Sequence, residues 1–261
     1  MGKQSTPQFS ALNCIDLSNP DINQSVNLLK EACLDSGFFY VVNHGISQEF
    51  MDEVFAQSKK FFSLPHNEKM KTLRNEQHRG YTPVLDELLD PENQVHVGDY
   101  KEGYYIGVEK GEDDPQSKKP FYGPNNWPAP DVLPGWRETM EKFHLETLYV
   151  SICRDRDAKP QKWEDVAPLK GAFIVNLGDM LERWSNCVFK STLHRVLGNG
   201  QGRYSIAYFL EPSLDCLVEC LPTCKSDSNP PKYPPILCHD YMTQRYKDTH
   251  ADLNIYKKQQ A

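Results

Sequence analysis

The sequence predicts an α+β protein whose first half is dominated by helices and whose last third is dominated by strands. Two patterns carry this. Apolar residues recur at helical intervals over 21–35, 47–62 and 136–150. β-branched and aromatic runs bounded by Asn and Gly turns fill 172–175, 192–196 and 203–209. No internal repeat is present.

Bulk properties narrow the field. The 261 residues suffice for one large domain or two modest ones. A net charge of −7 leaves no electrostatic footprint for nucleic acid. No apolar run approaches the roughly 20 residues needed to cross a bilayer, and the N-terminus lacks the apolar core of a signal peptide. A cytoplasmic protein without stable membrane association is expected. Met1-Gly2-Lys3-Gln4-Ser5-Thr6 matches the acylation pattern M-G-x-x-x-[ST]. A polar terminus matches so loose an expression easily, and one myristoyl chain would give only marginal anchoring. The eight cysteines are spread along the chain, as expected for reduced thiols. The spacing of Cys216, Cys220 and Cys224 fits no standard zinc pattern.

In chain order, Leu12 to Leu17 forms a first strand, closed by Ser18-Asn19-Pro20. Asp21 to Asp35 forms an amphipathic helix with Val26, Leu28, Leu29 and Cys33 toward a core, ending near Gly37. Phe38 to Val42 is strongly β-prone, and Asn43-His44-Gly45 turns the chain. Ser47 to Phe62 is a second helix, broken by Leu64-Pro65, and Asn67 to Asn75 a third, shorter one. Tyr104 and Tyr105 serve either core packing or a substrate pocket, as does Phe209; His44 and His96 read as turn or packing residues. The Pro-rich stretch 111–134 connects to a helix over Trp136 to Val150, which has no cap, glycine or proline to stop it. Trp163 onward is sheet.

The chemistry concentrates between Gly171 and Phe209. Ala172 to Val175 is a buried strand stopped by Asn176-Leu177-Gly178-Asp179. Two further strands, Thr192 to Val196 and Arg203 to Phe209, flank a Gly-Asn-Gly-Gln-Gly connection that suits a hairpin. On a strand Arg203 and Ser205 share a face, and a guanidinium beside a hydroxyl suits a carboxylate ligand. His194 on the neighbouring strand is a plausible metal ligand. Taken alone, His194 would be an ordinary sheet histidine and Arg203 a structural ion-pair partner.

With these residues laid out, the chain resembles the soluble plant-type Fe(II)/2-oxoglutarate-dependent dioxygenases, the isopenicillin-N-synthase-like group. The first half resembles their helical domain through Ile15-Asp16-Leu17, the run Gly37 to Ile46, and Phe61-Phe62-Ser63-Leu64-Pro65; Asn126-Trp127-Pro128 is similar to the lead into their catalytic domain. The second half matches through Asn176 to Asp179, Ser191 to Val196 and Arg203-Tyr204-Ser205. The resemblance implies a domain over 1–125 and a jelly roll (double-stranded β-helix) over 126–261. It implies oxidation, by hydroxylation or desaturation, of a small organic substrate with Fe(II), 2-oxoglutarate and O2. His194 is then an iron ligand, and Arg203 with Ser205 holds the far carboxylate of 2-oxoglutarate.

The family's other two ligands form an H-x-D pair on an earlier strand, and no such pair stands in place here. His66-Asn67-Glu68 lies in the helical half, and His250-Ala251-Asp252 follows His194. His144-Leu145-Glu146 has suitable spacing, but on a helix residues i and i+2 lie about 200° apart and cannot chelate one ion. An internal deletion near Val150-Ser151 accounts for the gap: the jelly roll is expected to be truncated, its H-x-D strand missing, and the chain inactive or impaired. The alternative is a non-enzymatic binding or regulatory isoform.

Overall fold

The computed structural model describes residues 12–87, 98–119, 121–143, 150–153, 163–196 and 202–249. Its elements are β1 (Asn13–Asp16), α1 (Ile22–Asp35), β2 (Phe38–Val42), α2 (Gln48–Phe62), α3 (His66–Met70), β3 (Gly80–Thr82), β4 (Gly103–Tyr105), α4 (Trp136–Lys142), β5 (Val150–Cys153), β6 (Glu164–Val166), β7 (Phe173–Asn176), α5 (Asp179–Trp184), β8 (Leu193–Arg195), β9 (Leu217–Val218), β10 (Ile236–Leu237) and α6 (Cys238–Thr249). The architecture is mixed α+β. Contacts divide it into two compact units: residues 1–55, 143–211 and 217–235, and residues 56–142, 212–216 and 236–261.

In the first unit β2 is the middle strand of a three-stranded sheet, parallel to β1 and antiparallel to β7. Its alternation explains why five consecutive apolar residues are needed. Phe38 and Tyr40 face a cluster with Val166 and Ala172, while Phe39 joins Ile15, Ala32, Cys33 and Leu177 on the opposite face. Asp21 caps α1, its carboxylate accepting from the backbone N–H of Asn23 and Gln24. Asn43 (φ +54°) and Gly45 (φ +85°) make the turn after β2. His44 stacks on Phe173 with ring centroids 3.7 Å apart; its Nδ1 accepts from Ile46 N, so Nε2 donates to Gly171 O at 3.1 Å. Both ring nitrogens are used, which makes it a packing residue as expected.

Gly37 is fixed twice over. Its φ is +66°, and a Cβ there would stand 2.2 Å from Lys190 O. That close approach brings Lys190–Thr192 against the end of α1, where Lys190 N donates to Cys33 O and Thr192 Oγ1 to Ser36 O. Gly37→Ala is expected to cost about 3 kcal/mol or more, measured by denaturant unfolding, because neither the backbone angle nor the clash with a carbonyl can relax cheaply. Further along, buried Asn186 ties down the 224–232 loop: its amide donates to Cys224 O and Pro230 O, and its oxygen accepts from Lys232 N.

The second unit packs around Phe61, which is fully buried against Tyr81, Tyr104 and Trp136. Tyr105 donates to Glu87, and burial, followed by that carboxylate's charge, pushes its phenol pKa up. Tyr104 and Tyr105 are therefore packing and network residues.

Three expected elements differ from the structure. The third helix stops at Met70, four residues after it starts. The helix from Trp136 ends at Lys142, and Val150 instead opens β5, paired with Val166 across the sheet. Val150 and Ile152 are β-branched, and cross-strand pairing overrides the helical spacing around them. Residues 203–209 form no strand; 202–213 carry no regular structure. A strand needs a partner, and none is present beside this stretch among the described residues.

Candidate metal and 2-oxoglutarate site

His194 sits on β8, an edge strand of the sheet ordered β6-β5-β8. Its cross-strand neighbour is Ile152, with Arg195 opposite Ser151 and Leu193 opposite Cys153. The ring meets Phe38 edge-on at 5.4 Å, and Nδ1 lies 2.9 Å from Thr192 O. A carbonyl only accepts, so Nδ1 donates to it and the ring, exposed on its strand, offers Nε2 as the nitrogen left for a ligand. A backbone carbonyl that accepts from one ring nitrogen orients a metal-ligating imidazole in this way. Arg195 stacks over Trp163 at 4.0 Å, which leaves it no part in the site.

Arg203 and Ser205 are exposed, and no hydrogen bond or ion pair joins either to His194 among the described residues. The common face expected of them required a strand that does not form. Phe209, expected in a pocket or core, is 76% exposed, and Tyr208 and Leu210 are exposed beside it. His66 begins α3, so His66 and Glu68 diverge as residues two apart on a helix must. His144, Glu146, His96, His250, Asp252 and Gly2 lie outside the described residues.

A 2-His-1-carboxylate centre needs three protein ligands. Among the described residues no three His, Cys, Asp or Glu side chains are grouped so as to hold a metal ion. His194 offers one. The described residues therefore do not fit the ion, although His194 itself is oriented as a ligand would be.

Similarity to known proteins, together with the histidine oriented on an edge strand, defines the class: a non-haem oxygenase scaffold. Residues 12–130 match the family model for the N-terminal region of non-haem dioxygenases in morphine synthesis, and residues 146–212 that of the 2OG-Fe(II) oxygenase superfamily. The chain belongs to the Fe(II)/2-oxoglutarate-dependent dioxygenases, which use Fe(II), 2-oxoglutarate and O2. It is 42% identical to kihadalactone A synthase LFS of Citrus sinensis, over 92% of this chain and 93% of that protein. Azadirone synthase LFS of Melia azedarach is 41% identical over the same shares. A full-length Neurospora crassa protein solved in complex with alpha-KG superposes with a TM-score of 0.71 at 25% identity, over 90% of this chain and 95% of that one. The Citrus alignment extends over 313 positions; 92% of 261 residues is about 240, so about 70 of those positions have no residue in this chain. No helix of the described residues is long and apolar enough to cross a membrane.

Proposed function

We propose that this chain is an internally shortened oxygenase, derived from an enzyme that hydroxylates or desaturates a small organic metabolite, and that the shortening removed the strand bearing the H-x-D pair. The observation that carries this is the edge position of β8. His194 is held through Nδ1, which leaves Nε2 for a ligand, on a strand whose outer side has no partner among the described residues. A strand bringing two further ligands to the same ion would have to lie beside that open edge, where cross-strand side chains come within about 5 Å. The roughly 70 unmatched positions in the Citrus alignment support the same reading. The substrate class of the parent enzyme follows its relatives, named as synthases of kihadalactone A and azadirone.

In the parent arrangement Fe(II) would supply oxidative decarboxylation of 2-oxoglutarate. His194 would be its distal ligand, Arg203 and Ser205 would grip the far carboxylate, and the boundary between helical and catalytic regions would lie near 125/126. Among the described residues no disulfide joins Cys14, Cys33, Cys187, Cys216, Cys220, Cys224 or Cys238, which supports a cytoplasmic setting. No nucleic acid or membrane partner is proposed. A second reading, a non-enzymatic binding or regulatory isoform, is supported by the exposed Tyr208-Phe209-Leu210 run.

Purified chain given Fe(II), 2-oxoglutarate and O2 under reducing conditions tests the shortening directly. Decarboxylation of 2-oxoglutarate at background rate is expected, unchanged by His194→Ala. Robust turnover abolished by His194→Ala would sink the proposal.

A further inference from the structure

Cys216 and Cys238 meet at the base of a long excursion of the chain. β9 and β10 form a two-stranded ladder; Cys216 stands immediately before β9, and Cys238 follows β10 as the first residue of α6. Cys238 N donates to Cys216 O at 2.9 Å, and His239 N donates to Leu214 O at 3.0 Å. One segment advances as the other retreats, so the two run antiparallel and the cysteines are opposite neighbours. Alternation puts both on one side of the ladder. Leu217 and Leu237 are 51% and 42% exposed, whereas Val218 and Cys238 are fully buried and Cys216 is half-buried.

This spacing admits a bond between the two sulfurs. A carbonyl oxygen lies about 2.4 Å from its own Cα and an amide nitrogen about 1.5 Å from its own. The 2.9 Å hydrogen bond therefore holds the two Cα atoms within about 6.8 Å. Disulfides bridge Cα separations of about 4.4–6.8 Å. The Cys238 thiol donates to Pro212 O at 3.6 Å, and the next residues turn back as Cys216 N donates to Ser213 O. The thiol thus already lies against the segment that carries Cys216. Among the described residues neither cysteine belongs to a group of three side chains that could hold a metal ion. Pairing with each other is the chemistry that suits them.

We propose that Cys216 and Cys238 form a reversible disulfide when the chain meets a low-molecular-weight disulfide such as oxidised glutathione. Exposure sets the order of events. The Cys216 thiolate attacks one sulfur of the small disulfide, whose S–S bond breaks and releases a first small thiol. Cys238, as its thiolate, gives up Pro212 O and attacks the Cys216 sulfur, and the second small thiol leaves. Both cysteines are oxidised, one small disulfide is reduced to two thiols, and the two cysteine protons end on those thiols. Cross-strand Cβ atoms lie about 4.5–5.5 Å apart, whereas a disulfide takes about 3.5–4.5 Å, so closure strains the ladder by roughly 1 Å. Strain makes such a bond easy to reduce again, as a reversible one must be. While it lasts, it ties the first residue of α6 to the turn before β9 and closes residues 217–237 into a covalent loop.

The probe is oxidised glutathione, added in excess to the reduced full chain, with the remaining thiols then alkylated. Trypsin, with a protease that cuts after Glu219, separates Cys216 from Cys220 and Cys224, so mass spectrometry reads the pairing directly. The expected product links Tyr204–Glu219 to Tyr233–Arg245, is about 2 Da lighter than its two parts, and is lost on treatment with a thiol reductant. It should be at least about threefold less abundant when the chain is oxidised in denaturant, where eight thiols compete and loop closure favours nearer pairs. Cys216→Ser should abolish it and leave Cys238 alkylated. The proposal is overturned if Cys216 is recovered alkylated, held only as a mixed disulfide with glutathione, or paired with Cys220 or Cys224. Equal yields from folded and unfolded chain overturn it too. Each of these outcomes is read on the unmutated chain, so none depends on a variant keeping its fold.

Discussion

Inserting the Citrus relative's unmatched positions at the Val150–Ser151 junction is expected to raise 2-oxoglutarate turnover from background by at least about 10³-fold. Ligand counting sets the scale. Structural zinc sites with four protein ligands bind with about 10–16 kcal/mol, roughly 3 kcal/mol per ligand. A centre reduced from three ligands to one therefore loses on the order of 6 kcal/mol, about 10⁴ in metal affinity. The insertion point is already close to the site, because β5 pairs directly with β8 in the register Ile152 opposite His194. Fe(II) titration under anaerobic conditions should show one equivalent bound by the inserted chain and none by the original. In the inserted chain, and not in the original, His194→Ala should abolish both binding and turnover. An inserted chain that folds, yet binds no iron, would show that the missing positions are not the source of the ligands.

The second large effect concerns stability and lies away from that site. Glu102→Ala is expected to destabilise the chain by about 3 kcal/mol, the lower end for breaking a buried pair. Glu102 accepts at 2.6 Å from both Lys69 Nζ and Tyr81 OH. Lys69 is buried on α3, where its ammonium also donates to Phe62 O at 3.3 Å and lies 5.4 Å from the Tyr81 ring centroid. Removing the carboxylate strands a buried cation and leaves the hydroxyl of a fully buried tyrosine without its acceptor. Thermal melting should fall by roughly 6–12 °C at this chain length. Replacing both members with apolar residues, as in Lys69→Met with Glu102→Leu, should recover the part due to the stranded cation and leave the part due to the Tyr81 hydroxyl. The contrast is Lys71–Glu68, equally short at 2.7 Å but with an exposed lysine, where Glu68→Ala should cost less than about 1 kcal/mol. Equal losses at the two pairs would show that burial is not what gives Glu102 its weight.

Local rules made much of this molecule legible in advance. Asp21 before an apolar-periodic run marked the start of α1, and the β-prone run Phe38 to Val42 marked a strand. Gly37, Asn43 and Gly45 marked the backbone positions with positive φ. The histidine of β8 was likewise legible, since its type, its strand and its place after Asn176-Leu177-Gly178-Asp179 all lie in one short stretch.

What failed were the statements that depended on a partner elsewhere in the chain. Val26 and Leu29 have the spacing of core residues and lie exposed, because periodicity specifies a face without supplying the element that covers it. Arg203 to Phe209 has the composition of a strand and forms none, because a strand is completed by hydrogen bonds to another strand. Val150 lies on a helical pattern and joins a sheet, because Val166 stands across from it. The sequence by itself determined the family and the place of His194 on its strand. Only the tertiary structure decided which surfaces were left open, since exposure belongs to pairs of elements and one member of each pair here is absent among the described residues.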